Sequence, residues 1–469
     1  MMARNMDDSS RDSSLKVVDE HTPLLRRYSD DNLSASGGLR ADDNSQQQQT
    51  ASSSASSSSA YVRICLVYFC ATFAFASYSP FFTLFMKDAS MTARAIGTLG
   101  AMQVVGGQIF APPIGIFCDK YQVHKPVWAT MWLLVTIPVL SIPLFQPHAF
   151  GHFVAIAVSV AALSSPCGAL LDASALALLG HGNEKHFGKI RLWGAVGWGV
   201  GCSAGGVVVT YLGRAAAFYG FAIFIYIALV VMLTLPLKQA FAVKDELNMP
   251  LVTEGNEEEQ PRQAMSMTTK LATLLRQPSF AVFLGVMVVV GMGATTLQSL
   301  LLIFLKDLGA PDWLEGTALT VATVAELPVF HYSSNLIGWE KMGAPGLLVV
   351  SIIAFIVRAN LVALLQNPYW VLPLQLFHGF TYAGSYAAGV YLAKQSAPPG
   401  LEVTAQALFS FCYIGVGGLL GSSIGGILFD EFGAPNMFRV KSALNFFALV
   451  VLCALHVPTR RTVRKWLCV

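Results

Sequence analysis

Among the side chains inside apolar stretches of this sequence, five ionisable groups and one tryptophan are the best suited to chemistry. They are Asp172, Arg191, Trp198, Glu326, Arg358 and His378. Ionisable groups in such stretches are costly, so they pair with one another or face a water-filled cavity. Carboxylates and guanidinium groups can bind hydroxyl groups, and a histidine can carry a proton near neutral pH. The set therefore indicates binding of a small polar solute.

Other chemistries find no support in the sequence motifs. The chain has no P-loop, no His-Glu-x-x-His and no Cys-x-x-Cys pattern, and most of its 8 cysteines lie in apolar runs. These patterns would be needed for nucleotide-driven transport, metal-dependent hydrolysis or a disulfide framework. We expect no enzyme activity, no cofactor, no metal and no nucleic-acid partner.

The composition is that of a protein that crosses a lipid bilayer many times. Of 469 residues, 54% are hydrophobic and 12% are charged, and the mean hydropathy is +0.56. Soluble domains have about 25% charged residues. Twelve apolar segments each have about 20 residues or more, enough to span a bilayer. They lie near 61–86, 95–117, 126–146, 150–179, 189–212, 215–236, 279–305, 315–337, 344–366, 369–393, 403–429 and 436–457.

Composition also predicts the boundaries of the regions. We expect a disordered cytosolic tail over 1–60, six-helix bundles over 61–236 and 278–458, a cytosolic linker over 237–277, and a basic tail over 459–469. Lysine and arginine are concentrated in the loops on the side of the termini. By the positive-inside rule, both termini are expected to be cytosolic.

A short motif in the N-terminal region concerns location. Glu20 stands four residues before Leu24 and Leu25 in "EHTPLL", which resembles an acidic dileucine signal read by sorting adaptors. This predicts a lysosome-like or vacuolar membrane, with an adaptor as partner. The alternatives are a plasma-membrane location, or two leucines of no consequence in a disordered tail.

The two halves of the sequence are copies of one another. "FFTLFMKD" ends at Asp88 and "LLIFLKD" ends at Asp307, a shift of 219 residues. Glycines at 197, 201 and 205 recur at 417, 421 and 425, a shift of 220. The predicted fold is therefore an all-α membrane protein, with twelve transmembrane helices in two six-helix bundles related by a pseudo-twofold axis. The solute would bind between the halves near mid-membrane.

Helix geometry places three of the chemical residues together. Asp172 and Arg191 lie about equally far from the turn between the fourth and fifth spans, so they can meet at one depth. The pair either binds substrate or is a structural salt bridge. Trp198 is seven residues past Arg191 and lies on nearly the same face, about 10 Å deeper.

The segment "GIFCDKYQVHK" (115–125) resembles the Gly-x-x-x-Asp-Lys/Arg loop of the major facilitator superfamily. Within it, the chain resembles the lactose permease family and its eukaryotic "major facilitator-like associated" relatives over nearly all of 61–458. The resemblance implies a gating loop at Gly115, Asp119 and Lys120, in which Asp119 acts as a latch across the bundles in one state. A charge that merely sets topology is the alternative.

The same resemblance implies roles for residues in the spans. Asp172 and Arg191 would hold sugar hydroxyls, Trp198 would stack on the substrate ring, and Glu326 would bind substrate. Arg358 and His378 would serve proton coupling. His378 belongs to a polar stripe with spacing i, i+3, i+6, i+7 and i+10, formed with Gln375, Thr381, Tyr382 and Ser385.

The chain also departs from the permease pattern. Thr381 stands where the permease has its proton-carrying carboxylate, and Thr295 and Gln298 stand where it has two aspartates. Their lysine partner is replaced near Ile414. We expect a secondary transporter of a sugar- or nucleoside-like solute by alternating access, with protons as a candidate co-substrate. A facilitative uniporter and a non-transporting receptor or scaffold are the alternatives.

Overall fold

The computed structural model describes residues 43–144, 150–179, 187–237, 240–241, 267–398 and 401–466. The proposed sorting signal at Glu20, Leu24 and Leu25 lies outside these residues. In the first half, the helices are α1 (Asp43–Asp88), α2 (Ala93–Tyr121), α3 (His124–Ser141), α4 (Phe150–Leu179), α5 (Phe187–Leu212) and α6 (Ala215–Leu233). A short helix, α7 (Met267–Leu275), precedes the second half.

The second half repeats this pattern with two broken helices. It contains α8 (Pro278–Asp307), α9 (Asp312–Gly338), α10 (Gly343–Ala363), α11 (Val371–Gln375), α12 (Ser385–Gln395), α13 (Glu402–Ser410) and α14 (Gly417–Trp466). A 3₁₀ turn, Pro368–Trp370, precedes α11, and π turns at Gly379–Gly384 and Phe411–Val416 precede α12 and α14. The tenth predicted span is thus α11 and α12 with the π turn between them.

Length and hydropathy mark 8 of the described helices as long and apolar enough to cross a membrane. The last of these, over Glu402–Ala454, is bent at Gly433, whose φ is 78°. Glycine tolerates this left-handed conformation, so the chain turns there and continues as a twelfth pass. Together with α3, α9 and the broken tenth helix, the described residues make the all-α, twelve-pass fold that the sequence predicts.

The duplication extends to atomic packing. A Cβ added at Gly201 of α5 would lie 2.7 Å from the carbonyl oxygen of Phe73 on α1. A Cβ added at Gly421 of α14 would lie 2.7 Å from the carbonyl oxygen of Met292 on α8. Each residue of the second contact is the copy of its counterpart in the first. The glycine stripes therefore allow two helix backbones to approach closely, once in each half.

The two halves are joined at one end, which we call the interlocked face; it includes Asp88, Ala93, Arg214, Asp312 and Asp430. The carboxylate of Asp430 accepts hydrogen bonds from the Ala93 and Arg94 amides, at 2.9 and 2.8 Å. It thereby caps α2, a helix of the other half, where a negative charge is favoured. Lys87 and Asp307 form a further cross-half ion pair at 3.1 Å.

Candidate functional site

A cavity with a volume of about 500 Å³ lies between the halves. Uncharged polar side chains line it from α2, α4 and α8: Gln103, Gln108, Ser164, Ser165, Gln298 and Ser299. Trp198 of α5 also lines this cavity. The volume falls in the range of about 300–1,000 Å³ of small-molecule sites. Its lining can exchange hydrogen bonds with hydroxyl and amide groups without presenting a charge.

A second cavity of about 30 Å³ holds the charged residues. Glu326, Arg358, Gln375 and His378 line it, and Trp198, Gln298 and Leu319 line both this cavity and the larger one. Trp198 therefore lies on the boundary between an uncharged chamber and a charged one. Its ring centroid is 6.1 Å from that of Phe75, so the indole is supported from α1.

The charged residues form a chain in which His378 lies between an acid and an arginine. His378 Nε2 is 3.0 Å from Glu326 Oε1, and His378 Nδ1 is 2.8 Å from Arg358 Nη1. An arginine can only donate hydrogen bonds, so Nδ1 must accept through its lone pair. The proton of the neutral imidazole is then on Nε2, where it is donated to Glu326. A second proton on Nδ1 would remove the bond to Arg358 and place two cations side by side.

Arg358 is held by neutral neighbours on the broken tenth helix. Its Nη1 also donates to Thr381 Oγ1 at 3.1 Å, and Nη2 donates to Gln375 Oε1. Only 3% of Arg358 is exposed, and its Nε atom has no partner among the described residues. The π turn at Gly379–Gly384 widens the helix beside His378, which lets residues of successive turns reach the same guanidinium group.

Two tyrosine rings extend from His378 away from Glu326 and Arg358. The Tyr382 ring is stacked on His378 at 5.6 Å between centroids, with an interplanar angle of 4°. Tyr386 follows at 6.2 Å. Of the predicted polar stripe, Gln375 and His378 line the charged cavity, whereas Thr381, Tyr382 and Ser385 line neither cavity.

The predicted ion pair between α4 and α5 is present. Arg191 Nη1 lies 3.4 Å from Asp172 Oδ2, with 67% and 30% of the two side chains exposed. The Tyr68 hydroxyl donates to Asp172 Oδ1 at 2.6 Å. Neither member of the pair lines either cavity. Substrate binding by Asp172 and Arg191 therefore stays a prediction.

The gating-loop residues lie at the opposite face of the molecule. Asp119 and Lys120 are exposed, and no heavy atom lies within 4 Å of a Cβ added at Gly115. Asp119 Oδ1 is 2.9 Å from His124 Nε2, in the same half of the chain. The resemblance implies that Asp119 forms a latch across the halves in one state. That latch stays a prediction, for a conformation other than this one.

Several residues of the site were not expected from sequence. The polar stripe includes Gln375 but does not predict its bond to Arg358. The glutamines and serines of α2 and α4 give little signal in the sequence, because uncharged polar residues are frequent in membrane helices. The pair Gln103 and Gln108 is more informative, since it places two amides in one span.

A family model described as the MFS_1-like family matches residues 61–440 of this chain. The chain belongs to the MFS_1-like family. It is thus an integral membrane protein of the major facilitator superfamily of transporters, as the loop and the duplication indicated.

Relatives of this MFS_1-like protein agree with that placement. It is 23% identical to a maltose permease of Geobacillus stearothermophilus over 393 residues, which cover 83% of this chain and 93% of the permease. It is 24% identical to a zebrafish (Danio rerio) "major facilitator superfamily domain-containing protein 6-like" over 268 residues, 56% of this chain and 45% of that protein. The matched region thus spans about half the length of the zebrafish relative.

The fold of this MFS_1-like protein is also that of a solved transporter. The crystal structure of the nucleoside transporter NupG matches with a TM-score of 0.70 at 14% identity, covering 85% of this chain and 99% of NupG. At this identity the likeness concerns the fold alone.

Proposed function

We propose that this protein carries a small, uncharged, polar solute of the sugar or nucleoside class by alternating access, with proton symport through Glu326 and His378. One observation carries the proposal. The uncharged cavity and the charged cavity share Trp198 and Gln298, so a bound solute and the Glu326–His378 pair would be neighbours. Solute ring faces can stack on the indole, while hydroxyl groups bond to amides and to the carboxylate.

The conformation fits one step of such a cycle. The halves are joined at the interlocked face, and Gly115 and Asp119 of the other face have no cross-half contact described for them. If the termini are cytosolic, the interlocked face is the lumenal or extracellular side. The proposed membrane is lysosome-like, vacuolar or plasma membrane.

The hydrogen-bond order explains how a proton would be linked to transport. In the neutral arrangement, His378 donates to ionised Glu326 and accepts from Arg358. A proton on Glu326 removes the charge that His378 stabilises, so the carboxyl group becomes free to bond to a solute. When Glu326 releases the proton, the hydrogen bonds from Arg358 through His378 to the carboxylate form again. Binding of solute and proton at adjacent positions would therefore favour one another.

The uptake test uses the full-length protein in liposomes. Radiolabelled maltose and uridine are offered with and without an inwardly directed proton gradient. We expect one of these solute classes to accumulate above equilibrium only with the gradient, and Glu326→Gln to abolish accumulation. Glu340→Gln, which changes an exposed loop acid in the same way, should leave it intact. Accumulation that ignores the gradient would overturn symport, and binding of both solutes without uptake would overturn transport.

A facilitative uniporter is the second candidate, and the neighbours of Arg358 favour it. Gln375 and Thr381 accept hydrogen bonds from the guanidinium group, and no acid is in direct contact with it among the described residues. In that case uptake in the same assay would equilibrate and would respond weakly to Glu326→Gln. The receptor alternative would instead keep solute binding with no flux.

A further inference from the structure

Glu315 lies in the first turn of α9, close to the interlocked face and outside both cavities. Only 1% of the residue is exposed, and neither carboxylate oxygen has a hydrogen-bond partner among the described residues. Buried acids are normally paired or hydrogen-bonded, because an isolated ionised carboxylate loses its hydration without compensation. This carboxyl group has no part in the site proposed for the solute.

The neighbouring cations are already used by other acids. Arg214, between α5 and α6, has its Nη1 atom 2.7 Å from Asp88 and its Nη2 atom 3.1 Å from Asp312. Lys306 of α8 is 3.3 Å from Asp312. Two cations therefore face two aspartates, and an ionised Glu315 would add a negative charge without a counterion.

The other surroundings of this turn are uncharged. The α5 backbone at Cys202 and Gly206 packs against Gly316, so the helices nearly touch. The ring of Trp313 lies 6.1 Å from that of Tyr369, which is exposed. Cys202, a buried thiol, is the titratable residue that α5 brings to this contact.

The duplication shows that the fold does not require an acid at this position. By the shift of 219 residues, Gly316 corresponds to Gly97, and Glu315 corresponds to Ile96. Gly97 packs on α14 at Ser422 and Gly426, which correspond to Cys202 and Gly206. Ile96 is 4% exposed and belongs to the hydrophobic core. In one copy of this interface the position is filled by a hydrocarbon side chain, whereas in the other it is filled by a carboxyl group.

We propose that Glu315 is a proton-binding residue of the interlocked face, neutral while that face is closed and ionised when it opens. Separation of the halves would part Gly316 from Cys202 and Arg214 from Asp312, so that water reaches the carboxyl group. The closed state then binds one more proton than the open state. By linkage, acid on that side favours closure, and alkaline conditions favour opening. This site is distinct from the Glu326–His378 pair.

The first test is infrared difference spectroscopy on the purified full-length protein. A neutral carboxyl group has a C=O band that an ionised carboxylate lacks. We expect a band at neutral pH that falls to background in Glu315→Gln and in Glu315→Ile, which installs the residue of the other copy. Asp307→Asn, an exposed and paired acid of the same face, should leave the band unchanged. Glu326→Gln identifies any contribution from the solute site. An unaltered band in Glu315→Gln would overturn the proposal.

The second test opens the face from the other interface. A Cβ at Gly97 would overlap the Ser422 carbonyl oxygen, so Gly97→Trp should wedge α2 away from α14 without touching the surroundings of Glu315. The Glu315 band should then be lost at neutral pH and return in acid. A band that persists at neutral pH, with the face shown open by increased labelling of the native Cys202 thiol, which is buried in the closed state, would contradict ionisation on opening. Neither test requires a known substrate.

Discussion

Each half of this transporter contains an acid and an arginine, but the two arrangements differ in contact and in burial. In the first half, Asp172 and Arg191 touch directly at 3.4 Å, with 30% and 67% of their side chains exposed. In the second half, His378 separates Glu326 from Arg358, which is 3% exposed. The first pair lies outside the cavities, whereas the second set lines one of them.

The difference indicates which charged residues should cost more stability when they are replaced. An exposed ion pair contributes up to about 1 kcal/mol, and water can replace either partner. A buried arginine held by three side chains has no such substitute, so its removal leaves several unpaired polar atoms. We therefore propose that the transport chemistry lies in the second half, and that the pair of the first half acts at the entrance.

The largest expected effect is on folding stability. Arg358→Gln should lower the free energy of unfolding by about 1–3 kcal/mol for each partner of the buried guanidinium group that is left unsatisfied. Arg191→Gln is the matched control in the other half and should cost below about 1 kcal/mol. Thermal unfolding of the two purified variants measures the contrast. Equal losses would refute the distinction between the two arrangements.

Glu326→Gln should come next, as a loss of proton-driven accumulation, because the amide cannot bind and release the proton. The solute is proposed to bond to the neutral carboxyl group and the amide is also neutral, so the half-saturation concentration should change less than about tenfold. The amide keeps the shape and can still accept a bond from His378, so stability should change little. Uptake kinetics and a thermal scan on the same preparation separate the two effects.

Asp172→Asn should have a smaller effect. The Tyr68 hydroxyl can still donate to the amide oxygen, and Arg191 is largely in water. We expect uptake to fall less than about tenfold, in keeping with an exposed pair. If Asp172→Asn and Arg191→Gln both abolished uptake at normal membrane abundance, the pair would contact substrate as the family resemblance implies.

Tyr382→Phe should be the mildest change. The stacking on His378 is preserved, and the Tyr382 hydroxyl has no role in the chain from Glu326 to Arg358. We expect uptake within about twofold of wild type, because the substitution removes no described hydrogen bond and leaves no cavity. His378→Phe is the contrasting variant, since it keeps a ring but removes both hydrogen bonds. The His378→Phe variant should no longer accumulate solute above equilibrium.

Local patterns in the sequence predicted much of this structure. The length of each apolar segment is a property of a single helix. The repeated glycines and the shift of 219–220 residues are properties of the duplication. The Asp172–Arg191 contact followed from a helical hairpin, in which distance from the turn fixes depth. Glu326 and His378 can be recognised in the sequence because ionisable groups are rare in membrane helices.

Contacts between distant helices could not be predicted in the same way. The bond from Arg358 to Gln375 depends on the bend of the tenth helix and on the π turn at Gly379–Gly384. The cap that Asp430 places on α2 exists only where the two halves meet, so it depends on the conformational state. Glu315 lay at the edge of a predicted span, where acids are common, and only its burial distinguishes it.

The most direct test of the central claim is proton movement during solute entry. Proteoliposomes containing a pH-sensitive dye are given a gradient of the solute found in the uptake screen, with no initial proton gradient. We expect the interior to acidify with wild-type protein and with Glu340→Gln, but not with Glu326→Gln. Solute entry without acidification in the wild type would contradict coupling through Glu326 and His378. Acidification that persists in Glu326→Gln would place the proton elsewhere.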